Sequence, residues 1–122
     1  MIDHIGIRVR NMGLAARFYD AVMPALGYSR CHASDELIGY GAADAAFLWL
    51  HRSPTATSGV HIALTAPDRR AIEAFHAAGL SAGGVDHGAA GLRPDYGPTY
   101  FAAFLLDPEG NNVEAVCTKG VT

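Results

Sequence analysis

The feature that most constrains this chain is a repeat of itself. Displaced by 57 positions, "HIGIR" (4–8) falls on "HIALT" (61–65), with His4 on His61, Ile5 on Ile62 and Ile7 on Leu64. The same displacement sets Asn11 on Asp68, Phe18 on Phe75 and Ala21 on Ala78. Self-similarity at a fixed distance marks a duplicated supersecondary unit, because each copy must then adopt the same local structure. Here that unit begins as a strand led by a histidine, followed by a helix-capping residue and a helix with an aromatic at the same depth.

Elementary patterning supports each piece. Ile5, Ile7 and Val9 alternate with His4, Gly6 and Arg8, and Val60, Ile62 and Leu64 alternate with His61, Ala63 and Thr65. A period of two is that of a strand with one buried face. Asn11 and Asp68 are residue types that accept from the free N–H groups opening a helix. Leu14, Phe18, Val22 and Leu26 predict the buried stripe of the first helix, with a kink or an end near Pro24. In the second helix Ile72 and Phe75 are expected to face inward, with Gly79 as the C-terminal stop. Shorter strands are predicted at 28–34, 37–42 and 45–51, then at 83–87, 100–106 and 112–117. "DPEGNN" (107–112) is a turn with Gly110 at positive φ, and 88–99 is a long irregular loop of the kind that serves as a lid.

Each half thus reads as strand, helix and three strands. The expected organisation is a single domain over 1–122, with one module over about 1–54, a linker at 52–59 and a second module over about 59–118. With 122 residues, half of them hydrophobic and 17% charged, the chain is expected to fold. A net charge of −3 without a basic cluster argues against nucleic acid as a partner, and no apolar run reaches the length of a membrane span. No secretory signal pattern opens the sequence, and Cys31 and Cys117 lie far apart with no CxxC spacing. Those features predict a cytoplasmic protein with two reduced thiols.

The alternation sends His4 and His61 to the strand face opposite the helix. Glu114 stands out of phase with Val113, Ala115 and Cys117 in "NNVEAVC". A carboxylate between apolar neighbours is costly unless solvated, paired or bound to metal. If the two halves pair about a pseudo-twofold, two imidazoles and one carboxylate converge as a facial ligand set for a divalent metal. The competing reading is a metal-free pocket in which the histidines hydrogen-bond to Glu114. His32, His76 and His87 have no comparable support.

Four segments carry a family resemblance: "DHIGIRV", "VHIAL", "FYDAVMPALGY" and "LLDPEGNNVEAV". Together they closely resemble the vicinal oxygen chelate superfamily, in particular its small glyoxalase-like members. Other members are glyoxalase I, extradiol dioxygenases, fosfomycin-resistance thiol transferases and bleomycin-resistance proteins. The resemblance implies an α+β fold of two βαβββ modules forming a partly closed, barrel-like cleft, often completed by a homodimer. It also implies one divalent ion (Fe, Ni, Mn or Zn) held by His4, His61 and Glu114.

Departures from the named branches narrow the chemistry. Trp49 stands where glyoxalase I has a fourth, carboxylate-type ligand, and an indole N–H only donates. Phe104 stands ten residues before Glu114, where extradiol dioxygenases have an acidic tyrosine. Tyr100 and Tyr96 are the candidate catalytic phenols in its place. Trp49, His51, Phe104 and Arg93 are candidate substrate-pocket residues, with Arg93 able to pair an anionic group. The expected function is a metal-dependent lyase, isomerase or dioxygenase acting on a small oxygenated substrate. The alternative is a metal-free, bleomycin-resistance-like protein that sequesters a small molecule.

Overall fold

A computed structural model describes residues 1–120. In chain order its elements are β1 (Ile5–Val9), α1 (Met12–Ala25), β2 (Ser29–Ala33), β3 (Leu37–Ala42), β4 (Ala45–Arg52), β5 (His61–Thr65), α2 (Arg69–Ser81), β6 (Val85–Leu92), β7 (Phe101–Leu106) and β8 (Asn112–Cys117). The duplication is thereby realised as two βαβββ modules, an α+β fold. Each forms a separate four-stranded sheet, ordered β1-β4-β3-β2 in the first and β5-β8-β7-β6 in the second. In both, the first strand runs parallel to the last and the remaining pairs are antiparallel. Among the described residues no helix is long and apolar enough to cross a membrane.

The caps act as their positions predict. Asn11 accepts from the Leu14 N–H and Asp68 from the Ala71 N–H, so each helix starts one residue later. Ile7, Val9, Leu48 and Leu50 from the first sheet, and Ile62, Leu64, Leu105 and Val113 from the second, turn to the helices and form one continuous core. The helices also pack on each other. At Gly79 a Cβ would stand 2.2 Å from Leu105 Cδ1 and 3.0 Å from Val22 Cγ1, so the missing side chain is what lets α2 touch both β7 and α1.

Three expectations are corrected. Gly79 does not stop α2, which runs on to Ser81; Gly83, at φ +94°, makes the turn that follows. Leu14 is 50% exposed, and the buried stripe of α1 is Ala15, Phe18, Tyr19, Val22 and Met23, continued by Leu26 at its C-cap. A strict four-residue spacing drifts by roughly 40° per step on a helix of 3.6 residues per turn, which carries Leu14 off the face centred on Phe18 and Val22. The irregular loop over 88–99 is shorter than expected, because β6 continues to Leu92. Its pairing with β7 shifts register around Gly88 and between Gly88 and Gly91, which disguises the strand in the sequence. Pro24 is accommodated in the last turn of α1, and Gly110 takes φ +86° in the β7–β8 turn. Cys31 and Cys117 are free.

A buried polar node ties the modules together. The Tyr19 hydroxyl on α1 donates to Asp107 Oδ2 at 2.6 Å. Asp107 Oδ1 accepts from the N–H groups of Glu109 and Asn111, both at 2.9 Å. Asn111 in turn donates to the Thr57 carbonyl in the linker and accepts from the Val60 N–H beside His61. The linker is held on its other side too, since Ser53 and Thr57 donate to the carbonyls of Val9 and Arg8.

Burial, then the neighbouring Asp107 carboxylate, push the Tyr19 phenol well above its ordinary value of 10.0. The unfolded chain therefore releases this proton at a pH where the folded chain still holds it. The stabilisation is complete below pH 10.0 and is lost as pH rises toward the higher folded value. We predict that Tyr19→Phe costs about 1.5–3 kcal/mol at neutral pH, the usual worth of a hydrogen bond to a charged group. Urea unfolding repeated above pH 10.0 should show stability falling less steeply in Tyr19→Phe than in the wild type, by about one proton's slope.

Candidate functional site

In each module the helix claims one face of the sheet, so the opposite face carries the out-of-phase side chains. In the second module β8 sits between β5 and β7, and its Glu114 is paired with Ala63 on one side and Phe104 on the other. Glu114 is only 2% exposed. Its carboxylate is fully engaged: His61 Nε2 lies 2.7 Å from Oε1, and the Tyr100 hydroxyl donates to Oε2. An ionised carboxylate only accepts, so His61 presents Nε2–H to it. The His61 side chain is itself 55% exposed and caps the carboxylate from the solvent side. An open cleft of about 560 Å³ is lined here by His61, Asp95, Tyr96, Tyr100, Phe104 and Glu114.

Tyr100 precedes β7, and its ring lies 5.3 Å from that of Tyr96 in an edge-on arrangement. Desolvation, followed by the hydrogen bond to Glu114 and its charge, pushes the phenol up to about 12. Tyr100 is therefore a protonated donor through the physiological range. Phe104 forms a wall, with its centroid 6.3 Å from that of His61.

The first module presents the matching face with different chemistry. Gly6 is paired with Trp49, as Ala63 is with Glu114. Gly6 and Ala63 stand 57 apart, like His4 and His61, so the repeat puts an indole where its second copy has the carboxylate. Trp49 lies flat across Gly39, where a Cβ would come 2.5 Å from its ring, and His51 lies over Gly6, where a Cβ would come 3.0 Å from Nε2. His4 is 57% exposed at its side chain and holds Asp3 at 2.7 Å through Nδ1. Asp3, His4, Leu37, Ala46, Trp49 and His51 line a cleft of about 430 Å³.

The predicted residues are thus sorted into two groups. His61, Glu114, Tyr100, Tyr96 and Phe104 come together, while His4, Trp49 and His51 come together elsewhere. Among the described residues no three His, Cys, Asp or Glu side chains gather within one chain as a metal site. Arg93 stacks over Phe104 at 5.3 Å and donates to the Ala89 carbonyl at 2.6 Å. Asn112 and His87 also line this region, beside His61 and Arg93, without having been singled out. Asn112 was findable, being two residues from Glu114 and in phase with it. His87 was not, because the register shift beside Gly88 breaks the alternation that would have placed it. His76 is mostly buried on α2 and pairs Asp86 at 2.9 Å.

Comparison with known proteins agrees with this architecture. The family model described as the Glyoxalase/Bleomycin resistance protein/Dioxygenase superfamily matches residues 1–115. A glyoxalase/bleomycin resistance protein from Albidiferax ferrireducens T118 is 27% identical, with a TM-score of 0.79 over 93% of this chain and 94% of that one. A glyoxalase-related enzyme from Fulvimarina pelagi shares the fold at 18% identity, with a TM-score of 0.72 over 95% and 86% of the two chains. A V278E mutant of glyoxalase I from Zea mays aligns at 23% identity and a TM-score of 0.72, over 94% of this chain but 45% of its own length. No curated protein matches the sequence.

Tyr100 gives this site a spectroscopic mark. Ultraviolet titration of the native protein should show one phenol ionising at about 12 that disappears in Tyr100→Phe. A Tyr100 that titrates like a free phenol would mean that its contact with Glu114 does not persist in solution.

Proposed function

The chain belongs to the Glyoxalase/Bleomycin resistance protein/Dioxygenase superfamily, and from that premise we propose that it is a metal-dependent enzyme acting on a small oxygenated substrate. His61 and Glu114 of one chain and His4 of a second copy are the proposed ligands. The observation that carries this reading is the buried Glu114 carboxylate beside an exposed histidine in an open cleft. Support for a second copy comes from the repeat. His4 occupies the position equivalent to His61 but faces a separate open cleft, so one chain offers two half-sites. A twofold dimer that sets the first module of one copy against the second module of the other would unite them, and twice over.

The donor set fits a divalent ion: neutral imidazole nitrogens and a carboxylate suit Fe, Ni, Mn and Zn alike. When bound, the ion supplies Lewis acidity for substrate oxygens. The chain's own residues do the rest. Tyr100 orients the Glu114 carboxylate by donating to Oε2, leaving Oε1 toward His61. Phe104 and the partner copy's Trp49 face would flank a planar substrate and exclude water. Tyr100, with its proton held to about 12 and committed to Glu114, is a positioning donor rather than a base. Tyr96, exposed at the mouth, would cover the bound substrate.

One observation favours a second reading. His61 and Glu114 already satisfy each other at 2.7 Å, as they would in a metal-free protein that sequesters a small molecule between apolar walls.

Metal analysis of untagged protein separates the two. We expect one transition-metal ion per site, lost in His61→Ala and in Glu114→Gln, and weakened about 10- to 100-fold in Tyr100→Phe, the usual effect of removing a ligand's supporting hydrogen bond. Failure to bind any of Fe, Ni, Mn or Zn would overturn the metal reading and leave sequestration. Complementation tests the shared site. His4→Ala and Glu114→Gln chains, each unable to hold the ion alone, should regain it when mixed, because one interface of the heterodimer then carries all three ligands. If the mixture stays metal-free while the wild type binds, the site is not shared.

A further inference from the structure

Beside the Glu114 cleft lies a second one of about 380 Å³, lined by His61, His87, Arg93, Tyr96, Phe104 and Asn112. It has no carboxylate on its wall, although Asp95 and Glu114 line its neighbour. Arg93 has no acidic partner among the described residues. It is nevertheless firmly seated. Its guanidinium lies over the Phe104 ring at 5.3 Å and donates to the carbonyls of Ala89 at 2.6 Å and Leu92 at 3.4 Å.

The seat is built into β6. A Cβ on Gly88 would come 3.3 Å from one terminal nitrogen of Arg93 and 2.9 Å from the Phe104 ring, and one on Gly91 would come 3.2 Å from the other terminal nitrogen. Two glycines and two register shifts thus give up regular pairing with β7 in the stretch where the guanidinium rests. Two of the five guanidinium N–H groups are used by carbonyls, so three stay free. Asn112 adds a complementary group: its Oδ1 is buried and accepts no hydrogen bond from the described residues. An orphaned acceptor of this kind calls for a donor, supplied by water or by a ligand.

We propose that this cleft is an anion subsite in which Arg93 binds the carboxylate of a small acid, while Asn112 Oδ1 accepts from a hydroxyl or N–H group on the same molecule. The inference deepens the proposed function and rests on it in one respect, namely that the acid's remaining oxygens reach the His61–Glu114 site. Substrates of this class are small hydroxy or amino acids rather than neutral ketones or quinones. Preorganisation of Arg93 by two carbonyls and a ring means that little side-chain entropy remains to be lost on binding.

The test uses the full chain, freed of metal with a chelator, and follows the ring protons of His61 and His87 by NMR during titration with glycolate, glycolamide and acetate. Glycolate should bind about tenfold more tightly than glycolamide, which lacks the charge, as expected for one charge-assisted contact. Arg93→Met should erase that difference. Acetate, which lacks the hydroxyl, should bind several-fold more weakly than glycolate, and Asn112→Ala should erase that second difference. Equal binding of glycolate and glycolamide by the wild type, or unchanged glycolate binding in Arg93→Met, would overturn the proposal. Metal uptake by the untreated wild type, measured separately, distinguishes the two readings, because the glycolate titration is run on metal-free protein. Arg93-dependent binding by a protein that takes up no metal would therefore uphold the subsite and sink the metal reading alone.

Discussion

The hydrogen bond from Tyr19 to Asp107 is the interaction on which the site's geometry depends. It joins α1 of the first module to the β7–β8 turn of the second, across 88 residues of sequence and inside the core. Through Asn111 the same carboxylate reaches the linker and the first residue before β5. His61 leads β5 and Glu114 lies in β8, so one buried node sets the height of both strands. Its members are buried polar groups that satisfy one another, which is the condition under which such a network rigidifies a fold instead of weakening it.

Around that node, the two modules have diverged while keeping one geometry. The strand register that pairs Gly6 with Trp49 also pairs Ala63 with Glu114. Where the first module removes side chains at Gly6 and Gly39 to let an indole and an imidazole lie flat, the second places a carboxylate and surrounds it with donors. One copy of the unit has become a wall and the other a polar centre. In the proposed dimer the division is chemically sensible, because a water-excluding apolar surface from one copy would strengthen any electrostatic contact made at the polar face of the other.

Helices turned inward against each other and sheets turned outward also explain why the functional faces are exposed. The α1–α2 packing, with Gly79 in contact with both Val22 and Leu105, uses up the helical faces of both modules. What remains for solvent, substrate or a second copy is the opposite face of each sheet. His4 and His61 therefore share a role in the repeat without sharing a cleft.

Much of this was legible in the sequence because it depends on local rules. A period of two fixed which strand residues meet the helix, and hence that His4, His61 and Glu114 leave on the other side. Asn11 and Asp68 fixed where the helices start, and the spacing of His4 and His61 revealed the duplication. Tertiary structure decided the rest. The stop of α2 moved past Gly79 because that glycine is needed for contact between elements, and β6 was hidden because its irregular pairing makes room for Arg93 over Phe104. Whether the histidines meet depends on how two modules dock, and the docking set by the Tyr19–Asp107 bond and the helix packing leaves them in separate clefts of one chain. Strand phase is a property of neighbouring residues, so the sequence alone determines it; the meeting of two phases is a property of the folded chain.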